Sequence, residues 1–199
     1  MHSSARFLLY LVAALFLATA PARAFSTVVI DAGHGGHDRG GVPGQRYSEK
    51  IYALDVAQRV RNRLRAAGLR VVMTRTNDTF IGLGTRCSIG NKQRNAVFVS
   101  IHFNSAPREG ADGIETYYYG SKSASLAASI HPRVVRAAGT EDRFVRRRGF
   151  YVLRNTRLPA VLCELGFLTN RSEGGRIASS SAHRQKLADA VAAGILARR

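Results

Sequence analysis

The chain has 199 residues, with 30 Lys and Arg against 13 Asp and Glu and a formal net charge of +17. Its hydrophobic content of 45%, its 5 Pro and the lack of any low-complexity run mark a folded chain rather than a disordered one. One globular domain fits this length, and a multidomain assembly is excluded.

The first 24 residues read as a secretory signal peptide. Arg6 supplies the positive start, Phe7 to Ala18 form an unbroken apolar run, and Ala22-Arg23-Ala24 has the small-x-small pattern of a cleavage site. A membrane anchor needs roughly 20 apolar residues, whereas this run stops short at Pro21, and no Cys follows to carry a lipid. The expected organisation is therefore a signal peptide over 1–24 and one domain over 25–199, exported and still strongly cationic. Such a charge suits nucleic acid, an anionic membrane surface or an acidic polymer outside the cytoplasm. Export disfavours nucleic acid, and no interleaving of aromatic and basic residues points to it.

Thr27 to Asp31 (TVVID) is a short β-branched run that breaks into Ala32-Gly33-His34-Gly35-Gly36, a buried strand entering a loop. From Ser48, a candidate N-cap, apolar residues recur at Ala53, Val56, Val60, Leu64 and Ala67 and predict a helix ending at Gly68. Leu69 to Thr74 is a second strand. Residues 80–95 read as a crossover helix weakened by Gly82, Gly84 and Gly90, and Ala96 to His102 as a third strand. Gly113 to Tyr119 is a fourth, followed by a helix from Ser123 that Pro132 should kink or interrupt. Phe150 to Leu153 and Ala160 to Leu165 read as two further strands, and a last helix runs from Ala182 towards Leu196. This alternation predicts a single α/β domain: a central mixed, mostly parallel sheet of about six strands with helices on both faces.

In such sheets strand ends and the loops beyond them collect functional residues. His34 follows the first strand, His102 ends the third, Glu164 lies near the end of the last, and Glu49 opens the first long helix. Two imidazoles and one carboxylate with an open fourth position have the composition of a catalytic zinc site, and a further free carboxylate suits proton transfer in hydrolysis. Spacing alone does not select these four. A His in a glycine turn commonly bonds backbone, a Glu in a first helical turn complements the helix dipole, and Glu164 can pair with an arginine. His37 and Asp38 compete as ligands, and Asp31 and Glu115 are candidates for carboxylates that orient a ligating imidazole. Cys87 and Cys163 can be joined or stay apart as small buried hydrophobes.

Taken together, Asp31 to Gly36 (DAGHGG), Gly44 to Lys50, Thr74-Arg75 with Asp78, Arg86 with Asn91, Ser100 to Asn104 (SIHFN), Gly113-Ile114-Glu115 and Pro159 to Asn170 (PAVLCELGFLTN) resemble a known family. It is that of the zinc-dependent N-acetylmuramoyl-L-alanine amidases of type 3, which cut bacterial peptidoglycan. The resemblance implies one Zn2+ per chain held by His34, Glu49 and His102, with Glu164 as the catalytic acid and base. The implied reaction is hydrolysis of the amide between N-acetylmuramic acid and the L-Ala that opens the stem peptide. It also implies a periplasmic or extracellular protein of a bacterium, expected to be a monomer, whose partner is peptidoglycan.

Relatives usually carry Gly after the Asp-Arg that here is Asp142-Arg143; this chain has Phe144, then Arg146-Arg147-Arg148. Asn104, Arg147 and Arg148 are candidates for substrate contact, and the basic cluster from Arg143 to Arg157 either attracts acidic groups of the wall or is merely solvated. Regulated relatives insert a helical segment after the fourth strand that blocks the metal. Here Tyr119 leads straight into the next helix, so an open site is expected, and any need for an activator is left open. Two other readings compete: a non-catalytic zinc protein that binds peptidoglycan, and a metallopeptidase that cuts within the stem.

Overall fold

The computed structural model describes residues 25–108 and 110–199, so the expected signal peptide over 1–24 lies outside the described residues. Six strands, β1 (Thr27–Ala32), β2 (Arg70–Met73), β3 (Ala96–Asn104), β4 (Ile114–Tyr118), β5 (Asp142–Arg147) and β6 (Ala160–Phe167), form one sheet in the order β2-β1-β3-β6-β4-β5. All neighbours run parallel except β4 and β6, which are antiparallel. Strand β1 is buried along its whole length, as a parallel strand covered on both faces must be.

Side chains alternate across a strand, and two cores follow. On one face, α1 (Glu49–Ala66), α3 (Ala124–Ala138) and α6 (Ser181–Leu196) cover Val28, Ile30, Val99, Ile101 and Cys163. On the other, the shorter α2 (Leu83–Asn91) and α4 (Tyr151–Asn155) cover Val29, Phe98 and Leu162 and bury Cys87. The two cysteines are free and sit in separate cores on opposite sides of the sheet, so they do not pair. Because α2 and α4 are short, the ends of β3 and β6 on their side stay accessible.

Three sequence expectations change. Residues 150–153, expected as a strand, begin α4, where Val152 and Leu153 turn into the smaller core; five residues are too few for helical periodicity to show. The sixth strand is instead β5, an edge strand that is largely exposed and reads as a run of charge. Pro132 neither ends nor splits α3; Pro132 and Ala128 both lie on its exposed face, where a freed carbonyl is solvated. A further helix, α5 (Arg171–Ser179), is capped by Asn170, whose side chain accepts from the N–H groups of Ser172 and Glu173.

His183 is buried at the start of α6. Burial, reinforced by Arg176, Lys186 and Arg184, lowers its pKa to about 4. The unfolded chain takes up this proton near pH 6.5 and the folded one only near 4, so the contribution to stability is full above 6.5 and declines as pH falls towards 4. Chemical denaturation should show a loss on the order of 2 kcal/mol from this group over that interval, and His183→Gln should flatten that part of the profile.

Candidate metal centre

The glycine turn after β1 brings His34 towards the start of α1. His34 has φ 57, a left-handed conformation that is strained for a residue with a Cβ. Its Nε2 lies 3.0 Å from Glu49 Oε2, and its Nδ1 lies 2.8 Å from Asp38 Oδ2. At the end of β3, His102 Nδ1 lies 2.8 Å from Glu49 Oε1, which also accepts the N–H of Phe103 at 3.0 Å. One donor atom from each of His34, Glu49 and His102 falls within 4.8 Å of the others. Gly33 and Gly40 allow this convergence: a Cβ at Gly33 would strike the His102 ring, and one at Gly40, where φ is 69, would lie 2.5 Å from Glu49 Oε2.

The donor set fits a divalent metal. Neutral imidazole nitrogen and carboxylate oxygen are ligand types for zinc, and a Cβ at Gly33 or Gly40 would intrude on the side chains that supply them. Burial alone would raise the Glu49 carboxyl, but hydrogen bonds with His102 and His34 hold it at about 2. Burial pushes His34 down, and its bonds to Glu49 and Asp38 more than offset this, so its pKa is raised. Metal binding at such groups competes with protons, so affinity for a cation there should rise with pH.

Glu164 stands directly beside His102 across the β3–β6 pair and opposite Glu115 across the β6–β4 pair. Its Oε2 is buried without a hydrogen-bond partner among the described residues. Burial, then the carboxylates of Glu49 and Glu115, push its pKa well up, because like charges in one enclosed place disfavour ionisation.

The remaining candidates are placed differently. Among the described residues neither Asp31 nor Glu115 hydrogen-bonds the imidazole of His34 or His102; Asp38, expected as a competing ligand, bonds His34 Nδ1 instead. Asp31 is buried and accepts from Thr74 Oγ1 at 2.7 Å, Ser100 Oγ at 2.6 Å and Arg86 at 2.7 Å. Burial raises its carboxyl, but Arg86 and Ser100 win and hold it below the usual range. Arg86 also donates to the carbonyls of Ala32 and His34, and Arg75 to those of Ala32, Gly33 and Lys50. These two arginines set the course of the glycine turn, a role hidden in the sequence among so many other basic residues. Ser48 occupies the N-cap of α1 without capping it, its hydroxyl accepting from Arg39 instead.

Asn104 donates to Glu115 Oε2 at 2.6 Å rather than standing free. Arg147 pairs with Tyr118, on the face away from the centre, and stacks over Tyr119; Arg148 follows the strand and is held there by its backbone N–H. His37 packs against Phe80, outside the triad. Between β4 and α3 lies only a single helical turn, Ser121–Ser123, and the side chains of His34 and His102 remain 23% and 17% exposed.

The N-acetylmuramoyl-L-alanine amidase family model matches residues 28–197. Over 173 residues the chain is 40% identical to the uncharacterized protein YqiI of Bacillus subtilis (strain 168), covering 85% of this chain and 82% of YqiI. It is 36% identical over 169 residues to the N-acetylmuramoyl-L-alanine amidase LytC of the same organism, covering 83% of this chain and 34% of LytC, so it spans about a third of that protein. The solved catalytic domain of CwlV, an N-acetylmuramoyl-L-alanine amidase from Bacillus (Paenibacillus) polymyxa var. colistinus, matches with a TM-score of 0.82 at 38% identity, covering 87% of this chain and 97% of that one.

Proposed function

This chain belongs to the N-acetylmuramoyl-L-alanine amidase family and is a peptidoglycan hydrolase that cuts the amide between N-acetylmuramic acid and the first L-Ala of the stem; we propose that His34, Glu49 and His102 hold one zinc ion for this reaction and that Glu164 carries the proton. The convergence of those three donors within 4.8 Å carries the reading. When bound, zinc supplies Lewis acidity, which makes water a nucleophile near pH 7 and polarises a carbonyl.

The chain's own groups do the rest. Asp38 holds His34 by Nδ1 and so keeps Nε2 turned to the centre. Glu164 takes a proton from the attacking water at Oε2 and hands it to the departing amine of L-Ala as the C–N bond breaks. Its raised pKa suits a carboxyl that must hold a proton part of the time. The accessible edge of the triad, with no segment inserted after β4, supports a site that is open without rearrangement. Among the described residues no helix is long and apolar enough to cross a membrane. The signal pattern over 1–24 and the likeness to wall amidases support export to the periplasm or the cell exterior.

Purified peptidoglycan treated with the zinc-loaded protein should yield free stem peptides with a new N-terminal L-Ala. New termini further along the stem would instead indicate a peptidase, and bound wall without any product a binding protein.

A further inference from the structure

Arg143 and Arg146 are three residues apart on β5, a spacing that puts side chains on opposite faces of a regular strand. Here a bulge intervenes. Ile114 pairs with Asp142 and Thr116 with Val145, so β5 takes three residues where β4 takes two. The extra residue turns both arginines to one side, and the Nε of each lies 3.6 Å from Glu115 Oε1. Phe144, within the bulge, has φ 72, which a bulky residue adopts only where its surroundings force it. The clamp is visible: the Phe144 N–H donates to Asp142 Oδ1 at 2.8 Å, and the same oxygen lies 2.7 Å from His131 Nε2.

Residues paired across a sheet share a face, so His102, Glu164 and Glu115 form one row, and the two arginines extend it. Arg143 braces the end of this row, with its guanidinium over Phe167 and Nη1 3.4 Å from Glu141 Oε2. Arg146 is left open. Its Nε donates to the Arg143 carbonyl at 2.9 Å, its terminal nitrogens have no partner among the described residues, and its side chain is 42% exposed. Glu115 is shared between the two guanidiniums and Arg143 also pairs with Glu141, so the Arg146 head is the group left open at the β5 end of this row. A cavity of about 420 Å³ opens at His34 and His102 and is walled by Phe80, Leu83, Phe150 and Tyr151; Phe150 packs against Tyr117, the neighbour of Arg146 across the β4–β5 pair.

The substrate is asymmetric about the amide: an uncharged sugar and lactyl group lie on one side and a peptide bearing free carboxylates on the other. We propose that Arg146 anchors the α-carboxylate of the second stem residue, so that the departing peptide lies towards β5. The inference rests on the amidase reading above. A guanidinium with free terminal nitrogens matches a carboxylate in a two-pronged, charge-assisted contact.

The test uses two disaccharide dipeptides ending in D-glutamate or in D-isoglutamine, which both keep the γ-carboxylate and differ only in whether the α-carboxyl is acid or amide. Zinc-loaded protein should cleave the acid with kcat/KM roughly tenfold above the amide. Arg146→Gln should bring the ratio to near one, mainly through KM. Arg147→Gln, which removes the same charge on the opposite face, should keep the ratio. Calorimetry on zinc-loaded Glu164→Gln should show the same preference in binding, without need of turnover. Equal kcat/KM for acid and amide, or an equal loss on both in Arg146→Gln, overturns the anchor. If neither dipeptide is cut while the acid still binds more tightly, the anchor stands and the amidase reading fails.

Discussion

Glu164→Gln is expected to lower turnover by about 10²–10⁴-fold, the range that a positioned acid–base group contributes, while zinc content is unchanged. The expectation follows from where the carboxyl sits. It is next to His102 in register, yet it is not one of the three converging donors, and its Oε2 has no hydrogen bond among the described residues to satisfy it. A group placed for stability alone would be paired, because a buried unpaired carboxyl is costly. Burial and the carboxylates of Glu49 and Glu115 disfavour the ionised form, and Gln is a neutral side chain of the same shape, so Tm should hold. The loss in rate is then separable from unfolding. A Glu164→Gln protein as active as the parent would take the proton-transfer role away from this residue.

The largest structural effect is expected at Arg86→Met. The ion pair with Asp31 is enclosed, the two side chains being 3% and 1% exposed. Loss of one partner strands the other charge, which typically costs about 3–5 kcal/mol. Arg86 also supports the carbonyls of Ala32 and His34, so the turn that carries the first imidazole loses its brace. At about 2–4 °C per kcal/mol for a domain of this size, Tm should fall by roughly 10 °C, and zinc should bind more weakly. Adding Asp31→Asn should restore part of the stability by removing the stranded charge. If thermal melting shows Arg86→Met alone to be as stable as the parent, the pair is not what holds this turn.

The parts of the fold that were legible from residues are those with a local signature. β1, β3 and β6 are continuous apolar runs, α1 repeats every three to four residues, and the ligand candidates stand where those runs end. What was hidden depends on partners distant in sequence. Strand β5 looks like solvated charge because, at the sheet edge, it pairs only with β4. The segment 150–153 has β-forming residues but is drawn into a helical turn by the small core around Phe98. Asp31 reads in the sequence as a carboxylate that orients an imidazole and Asp38 as a competing ligand. Only the fold shows that one anchors an arginine and the other an imidazole. The metal triad itself was legible as residue types at strand ends, but its convergence came from resemblance, since no short spacing joins His34, Glu49 and His102.

The most direct measurement of the central claim is zinc content with X-ray absorption at the zinc edge, made on the zinc-loaded full chain and on His102→Ala. One zinc per chain bound by two imidazole nitrogens and a carboxylate oxygen, and lost in His102→Ala, is the predicted result. A loaded sample that binds no zinc, or that holds it equally well after His102→Ala, would contradict the account.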